Sequence, residues 1–129
     1  MLEALKHIPS ICDIESESER GGWRMSVNGH PGRIEIIRGL LCISLFLNGF
    51  GVGCWPCVSS LTLLLAAHPD IHDYALKLTP EGCWLNGYYG ERLSAQQITT
   101  ELEKQLSLTC YLKSVIRKHQ QYCDCEAGL

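Results

Sequence analysis

The sequence predicts an α+β domain in which helices pack on one antiparallel sheet, in the order α-β-β-β-α-β-β-α. Three observations carry that prediction. Trp23, Met25 and Val27 alternate with Arg24 and Ser26, and the same period of two recurs in Ile34 and Ile36 and in Leu41, Ile43, Leu45 and Leu47. Such a period places one set of side chains on one face of a strand. Asn28-Gly29 stands between the first two runs, and this dipeptide favours the tight turn of a hairpin. Ser94 and Gln97 form a Ser-x-x-Gln capping box ahead of a long stretch with helical spacing.

Each element follows from its own residues. Leu2, Leu5 and Ile8 are three apart and make Leu2–Ile8 a short helix, ended by Pro9. The run Glu15-Ser16-Glu17-Ser18-Glu19-Arg20-Gly21-Gly22 reads as a solvated acidic loop. Trp23–Val27 is the first strand. The hairpin at Asn28-Gly29 is lengthened by His30-Pro31-Gly32, and Arg33–Arg38 pairs back. Leu40–Leu47 is the third strand, ending at Asn48-Gly49, and Gly49 to Cys57 is loop. Ser59 or Ser60 caps a second helix, Leu61–Ala67, which stops at His68-Pro69-Asp70.

Two short strands follow, Tyr74–Thr79 and Cys83–Tyr88, joined by Pro80-Glu81-Gly82. The last helix runs to about Tyr122, with an apolar stripe of Ile98, Leu102, Leu106, Cys110, Leu112, Val115 and Ile116. Lys113, Arg117, Lys118 and His119 lie toward its C-terminal end, where positive charge suits the helix dipole. Cys42 and Cys110 sit inside apolar periodic segments and read there as small hydrophobes.

The 129 residues are read as one domain, residues 1–129. Such a length buries roughly two-thirds of the unfolded surface. A hydrophobic content of 46% excludes a disordered chain. The net charge is −3 and the positive residues form no basic stripe, which argues against nucleic acid. No apolar run reaches the roughly 18 residues of a membrane span. The start, Met1-Leu2-Glu3-Ala4, lacks the basic-then-apolar plan of a secretory signal, so the chain is expected to stay where it is made. With no such signal, the eight cysteines read as reduced thiols rather than a disulfide framework.

Catalytic signatures are wanting. There is no nucleophile elbow, no phosphate loop and no metal quartet, so the chain is expected to be no enzyme and to use no cofactor. Cys54-x-x-Cys57 admits a redox reading, but its Trp and Pro run in the reverse sense to a thioredoxin-type motif. A zinc site from Cys54, Cys57, Cys123 and Cys125 is arithmetically possible, although Cys-x-Cys is an awkward second pair. The plainer reading is loop and tail thiols.

Binding features are more informative. The Leu61–Ala67 helix is apolar all round, and one face suffices for the core of a small domain. Its other face is expected to meet a second chain through Leu61, Leu64 and Leu65. Trp84, Tyr88 and Tyr89 crowd one strand; as an edge strand it would let Trp84 and Tyr88 meet a partner by strand addition. His68 and His72 flank the end of the apolar helix beside Asp70 and Asp73. Free histidine titrates near ~6.5, so these four residues are the pH-sensing candidates. The plain alternative is that they are ordinary turn residues.

Three blocks of residues resemble the SpiC/SsaB family of type III secretion gatekeeper proteins. They are Leu5-Lys6-His7-Ile8-Pro9-Ser10-Ile11-Cys12-Asp13-Ile14, then Leu63-Leu64-Leu65-Ala66-Ala67-His68-Pro69-Asp70-Ile71-His72-Asp73-Tyr74, and Trp84-Leu85-Asn86-Gly87-Tyr88-Tyr89. The segment from Cys110 to His119 is also similar. The element order itself is that of class I type III secretion chaperones, which are small, acidic and dimeric. The resemblance implies a bacterial cytoplasmic protein, peripheral at the inner-membrane base of the export apparatus. Its implied partners are an SsaM-like small chaperone protein and a SepL/SsaL-like gatekeeper, with a homodimer as the form of the chain alone.

The implied role is to hold effectors back during translocator export until a host signal, including a pH change, releases them. Cys54-Trp55-Pro56-Cys57 and the Cys123-Asp124-Cys125 tail depart from the family pattern. An alternative is an exported effector acting on host trafficking. Export signals of this system are Ser/Thr-rich and poorly ordered, whereas Leu2–Ile8 reads as a folded helix.

Overall fold

The computed structural model describes residues 5–17, 21–48, 74–90 and 92–127, apart from the side chains of Asn48 and of residues 119–127. Six strands form one antiparallel sheet: β1 (Ile11–Ser16), β2 (Trp23–Val27), β3 (His30–Ile37), β4 (Leu40–Asn48), β5 (Tyr74–Thr79) and β6 (Gly82–Tyr89). Their spatial order is β1-β2-β3-β4-β6-β5. A long helix, α1 (Ala95–Ala127), packs on one face of the sheet. This is the predicted α+β class. The expected helix Leu61–Ala67 lies outside the described residues.

Local chemistry explains the turns. Asn28 (φ 49) and Gly29 (φ 83) both take positive φ, and Val27 pairs with His30 across them. Two such residues make the hairpin turn whose twist matches that of its strands. The turn is therefore two residues long, and His30-Pro31-Gly32 belongs to β3 rather than lengthening the loop. Pro31 stands before the β3–β4 ladder, which begins at Gly32↔Leu45, so a missing N–H is tolerated there. Arg38 (φ 51) and Gly39 (φ 77) form the equivalent turn between β3 and β4.

The acidic stretch is partly a strand. β1 pairs with β2 through Ile11↔Val27 and Ser16↔Trp23, with the register shifting between Cys12 and Glu15. Asp13 takes φ 57 within that irregularity. The bulge brings both Ile11 and Ile14 to the core although they are three residues apart, so a search for strict alternation misses this strand. Glu17 is not solvated either. Arg24 and Arg33 face each other across β2 and β3, and the Glu17 carboxylate bridges them at 3.0 Å and 2.7 Å. An anion between two like charges removes the cross-strand repulsion.

The capping box forms as read, with Gln97 N–H donating to Ser94 Oγ (3.2 Å) and Ser94 N–H to Gln97 Oε1 (2.8 Å). The helix continues beyond Tyr122 to Ala127, so Cys123 and Cys125 lie on helical backbone, not in a tail. Its buried row is Ile98, Leu102, Gln105, Thr109, Leu112 and Ile116, and Cys110 is exposed. The row advances by alternating steps of four and three. A stripe drawn through apolar residues alone drifts off it at Leu106 and Cys110.

Gln105 is fully buried at the middle of that row. Its Nε2 donates to the carbonyls of Ile43 on β4 (2.8 Å) and Leu85 on β6 (3.0 Å), and its Oε1 accepts from the Tyr89 hydroxyl (2.6 Å). Thr109 returns its hydroxyl to the Gln105 carbonyl (2.8 Å). A buried amide is tolerated because its donors and acceptor are all engaged. Gly87 makes room for it, since a Cβ there would meet Gln105 Oε1 at 2.6 Å.

Two measurements check this arrangement. Gln105→Leu orphans the Tyr89 hydroxyl and is expected to cost about 1–3 kcal/mol by chemical denaturation. Adding Tyr89→Phe should recover part of that loss, so the pair is less damaging than the sum of the singles. Gly87→Ala is expected to lower the melting temperature through the clash with Gln105. Gly90→Ala should be neutral or stabilising by about 0.4–1 kcal/mol, because a Cβ at Gly90 meets nothing within 4 Å.

Candidate partner interface

Of the three aromatic residues singled out in the sequence, Trp84 and Tyr88 lie on the face of the sheet opposite α1, and Tyr89 lies under the helix. Trp84 and Tyr88 lie on β6 opposite Phe46 and Cys42 of β4. Trp84 is buried. It meets Phe46 edge to face at 5.0 Å and donates its indole N–H to Thr79 Oγ1 (3.0 Å). Tyr88 is 46% exposed. The strand that bears them is not an edge, because β6 is paired to β4 on one side and β5 on the other. A short strand rich in aromatics gives no sign of its place in a sheet, and here the chain returns to put β6 inside β5.

Among the described residues the outer strands are β1 and β5. β1 is blunted by its bulge, while β5 pairs with β6 in unbroken register from Tyr74↔Gly87 to Thr79↔Gly82. Among the described residues the regular β5 edge suits strand addition better than the bulged edge of β1.

Tyr88 does not stand alone. Leu40 lies two residues before Cys42, the direct partner of Tyr88, and is its diagonal neighbour on the same face. Ile37 is the direct partner of Leu40. Leu40 is 44% and Ile37 41% exposed, so the three side chains make an apolar patch where the β3–β4 hairpin ends. The sequence carries a signal for it: Ile36-Ile37 breaks the alternation, so one isoleucine must leave the core face. On the α1 side of the sheet, at the end of β6, Tyr74, Tyr88, Tyr89, Leu93 and Glu101 border an open cleft of about 240 Å³. Tyr74 closes part of its wall by donating to the Glu101 carbonyl (3.3 Å).

No family model matches the chain. Over 121 residues, 94% of this chain, it is 52% identical to a protein called "SpiC homolog" from Salmonella typhi, of which it covers 95%. The chain belongs to the SpiC family. Two further relatives, from Salmonella typhimurium strains 14028s and LT2, are called "Salmonella pathogenicity island 2 protein C". Each is 52% identical over the same share of this chain and 91% of its own length.

The other residues weighed in this SpiC-family chain are distributed as follows. Leu61, Leu64, Leu65, His68, Asp70, His72, Asp73, Cys54 and Cys57 lie outside the described residues. Among the described residues no three His, Cys, Asp or Glu side chains come together as a metal site. None of the described helices is long and apolar enough to cross a membrane. Cys83 is buried, which pushes its thiol up to about 11, and burial raises Cys42 as well. Neither is a ready nucleophile.

The described histidine with a defined network is His30. Lys113 Nζ lies 2.9 Å from its Nδ1 and Cys110 Sγ 3.8 Å from its Nε2. An ammonium can only donate, so Nδ1 accepts and the ring proton sits on Nε2, toward the sulfur. Partial burial, followed by repulsion from Lys113, lowers the imidazole below its ordinary 6.5. The sign follows. A depressed base binds fewer protons when folded, so its stability contribution is complete above ~6.5 and is lost as pH falls through the folded value. The melting temperature is expected to fall on acidification below about pH 6.5, and His30→Gln should flatten part of that fall. An identical slope in the variant would assign the effect to other groups.

Proposed function

We propose that this SpiC-family chain is a non-enzymatic, protein-binding component of a bacterial type III secretion gatekeeper. In this role it holds back effectors during translocator export. The supporting observation is the 52% identity, across nearly the whole chain, to proteins named for Salmonella pathogenicity island 2. The patch of Ile37, Leu40 and Tyr88 is consistent with a binding role, because contiguous exposed apolar surface suits a protein partner. The partners in this reading are a small chaperone-like protein and a larger gatekeeper protein, met in the cytoplasm at the base of the export apparatus. Release on a pH change belongs to the same reading, with His68 and His72 beside Asp70 and Asp73 as its sensors.

Affinity capture from the native bacterium tests it, at about pH 5.5 and about pH 7.2. Wild-type chain is expected to retain secretion-system proteins, and more of them at the acidic pH. Leu40→Asp and Tyr88→Asp place a charge on a covered apolar surface and should cut capture at least ten-fold while leaving circular dichroism unchanged. Recovery of no secretion-system protein, or full retention by both folded variants, counts against this function. Equal capture at both pH values counts against the pH-linked release alone.

A further inference from the structure

The contact between the β2–β3 hairpin and α1 brings a thiol, an imidazole and an ammonium together. His30 opens β3, and Cys110 and Lys113 are one helical turn apart on α1. Nε2 of His30 lies 3.8 Å from Cys110 Sγ, and Nδ1 lies 2.9 Å from Lys113 Nζ. Cys110 is exposed, unlike the buried Cys42 and Cys83. Its sulfur therefore meets solvent as well as the imidazole. Since Nδ1 accepts from the ammonium, Nε2 keeps its proton and offers a hydrogen bond to the sulfur as negative charge collects there.

A second feature sets the charge of the reagent that such a thiol meets. Lys113 and Arg117 follow Cys110 by three and seven residues, a spacing that puts all three on one flank of the helix. Lys113 is half-buried and Arg117 exposed. Among the described residues no carboxylate pairs with either of them. The acid on the same flank, Glu103, stands two turns before Cys110. An anionic reagent is therefore drawn to this thiol and a cationic one repelled.

We propose that Cys110 is a modification site that takes up small anionic disulfides, of which glutathione disulfide is the type, as a mixed disulfide. The Cys110 thiol gives its proton to water, and the thiolate attacks one sulfur of the disulfide. The bond from Cys110 to that sulfur forms as the original S–S bond breaks, and the displaced thiolate leaves and takes up a proton. The disulfide is itself the oxidant, so the step needs no other. Cys42 and Cys83 are excluded by lack of access and by burial, which holds their thiols neutral. The carboxylates of the adduct compete for Lys113, and the hairpin loses a tie to α1. The site lies apart from the patch of Ile37, Leu40 and Tyr88, and its fate is independent of the gatekeeper reading.

The test treats the full chain with glutathione disulfide and follows each cysteine on its own peptide by mass spectrometry. Cys12 is the internal reference, an exposed thiol beside Asp13 and Glu15 on β1. Cys110 is expected to react faster than Cys12 by roughly three- to ten-fold. Cystamine, a cationic disulfide, should narrow or reverse that ratio. Lys113→Gln should lower the rate at Cys110 about three-fold, whereas Lys113→Arg, which keeps the charge, should retain most of it. His30→Phe removes the N–H and should slow Cys110 while leaving Cys12 unchanged.

Cys42 and Cys83 report on folding, since a loosened chain would expose them and both should stay unmodified in every variant. Should His30→Phe expose Cys42, the comparison of the two disulfides on the unaltered chain decides. A Cys110 rate no higher than that of Cys12, or the same ratio with glutathione disulfide and cystamine, overturns the proposal. So do folded Lys113→Gln and His30→Phe variants that both leave the Cys110 rate unchanged. The competition for Lys113 is read by NMR from the imidazole signals of His30. They should shift in the glutathione adduct and return on reduction with dithiothreitol, and unmoved signals overturn the loss of the hairpin tie.

Discussion

The fold depends on one buried amide. Gln105 joins α1 to β4 and β6 at once, through the carbonyls of Ile43 and Leu85, and holds the Tyr89 hydroxyl at 2.6 Å. Hydrophobic burial is non-directional, and a helix with an apolar stripe can slide or turn on a sheet at little cost. A buried amide cannot, because any shift leaves a carbonyl, a hydroxyl or the amide itself without a partner. The packing of Ile98, Leu102, Leu112 and Ile116 supplies the attraction, and Gln105 supplies the register. Gly87 is the complementary requirement, a side chain withheld so that the amide can approach the strand.

Much of this was legible in the sequence where period and turn chemistry agree. Trp23–Val27, the Asn28-Gly29 turn, β4 and the Ser94–Gln97 box follow from rules that act over a few residues. What escaped depends on partners far along the chain. β1 was hidden because its bulge at Asp13 breaks the alternation. Gln105 and Thr109 were passed over as polar, since only the fold supplies the carbonyls and hydroxyl that satisfy them. The interior place of β6 is likewise a matter of topology and not of its own residues. In the exposed apolar patch, Tyr88 stands out from its strand alone, whereas Leu40 and Ile37 join it only once the β3–β4 turn is in place.

The two faces of the sheet divide the labour. The α1 face is closed by apolar packing and by the amide. On the opposite face Trp84 packs on Phe46 and bonds to Thr79, while Ile37, Leu40 and Tyr88 stand exposed toward the β3–β4 turn. A SpiC-family chain built this way can present a binding surface without loosening its core, because the exposed residues contribute little to the clusters beneath α1. Substitutions at the patch and at the core are thus expected to separate binding from folding.

The adjacency of β4 and β6 also has a kinetic meaning. β1 to β4 meander, each strand meeting its neighbour across a short connection, and such contacts form quickly. The β4–β6 pairing instead spans everything between Asn48 and Gly82, and its loop-closure entropy must be met before any contact rewards it. Gln105 spans that seam, so helix docking and seam closure reinforce one another. During synthesis the meander emerges before β6 and α1, and until they arrive the apolar face of Ile34, Ile43 and Leu45 lacks the cover of α1. Apolar surface left without α1 in that interval is the part of the nascent chain that can associate with another copy.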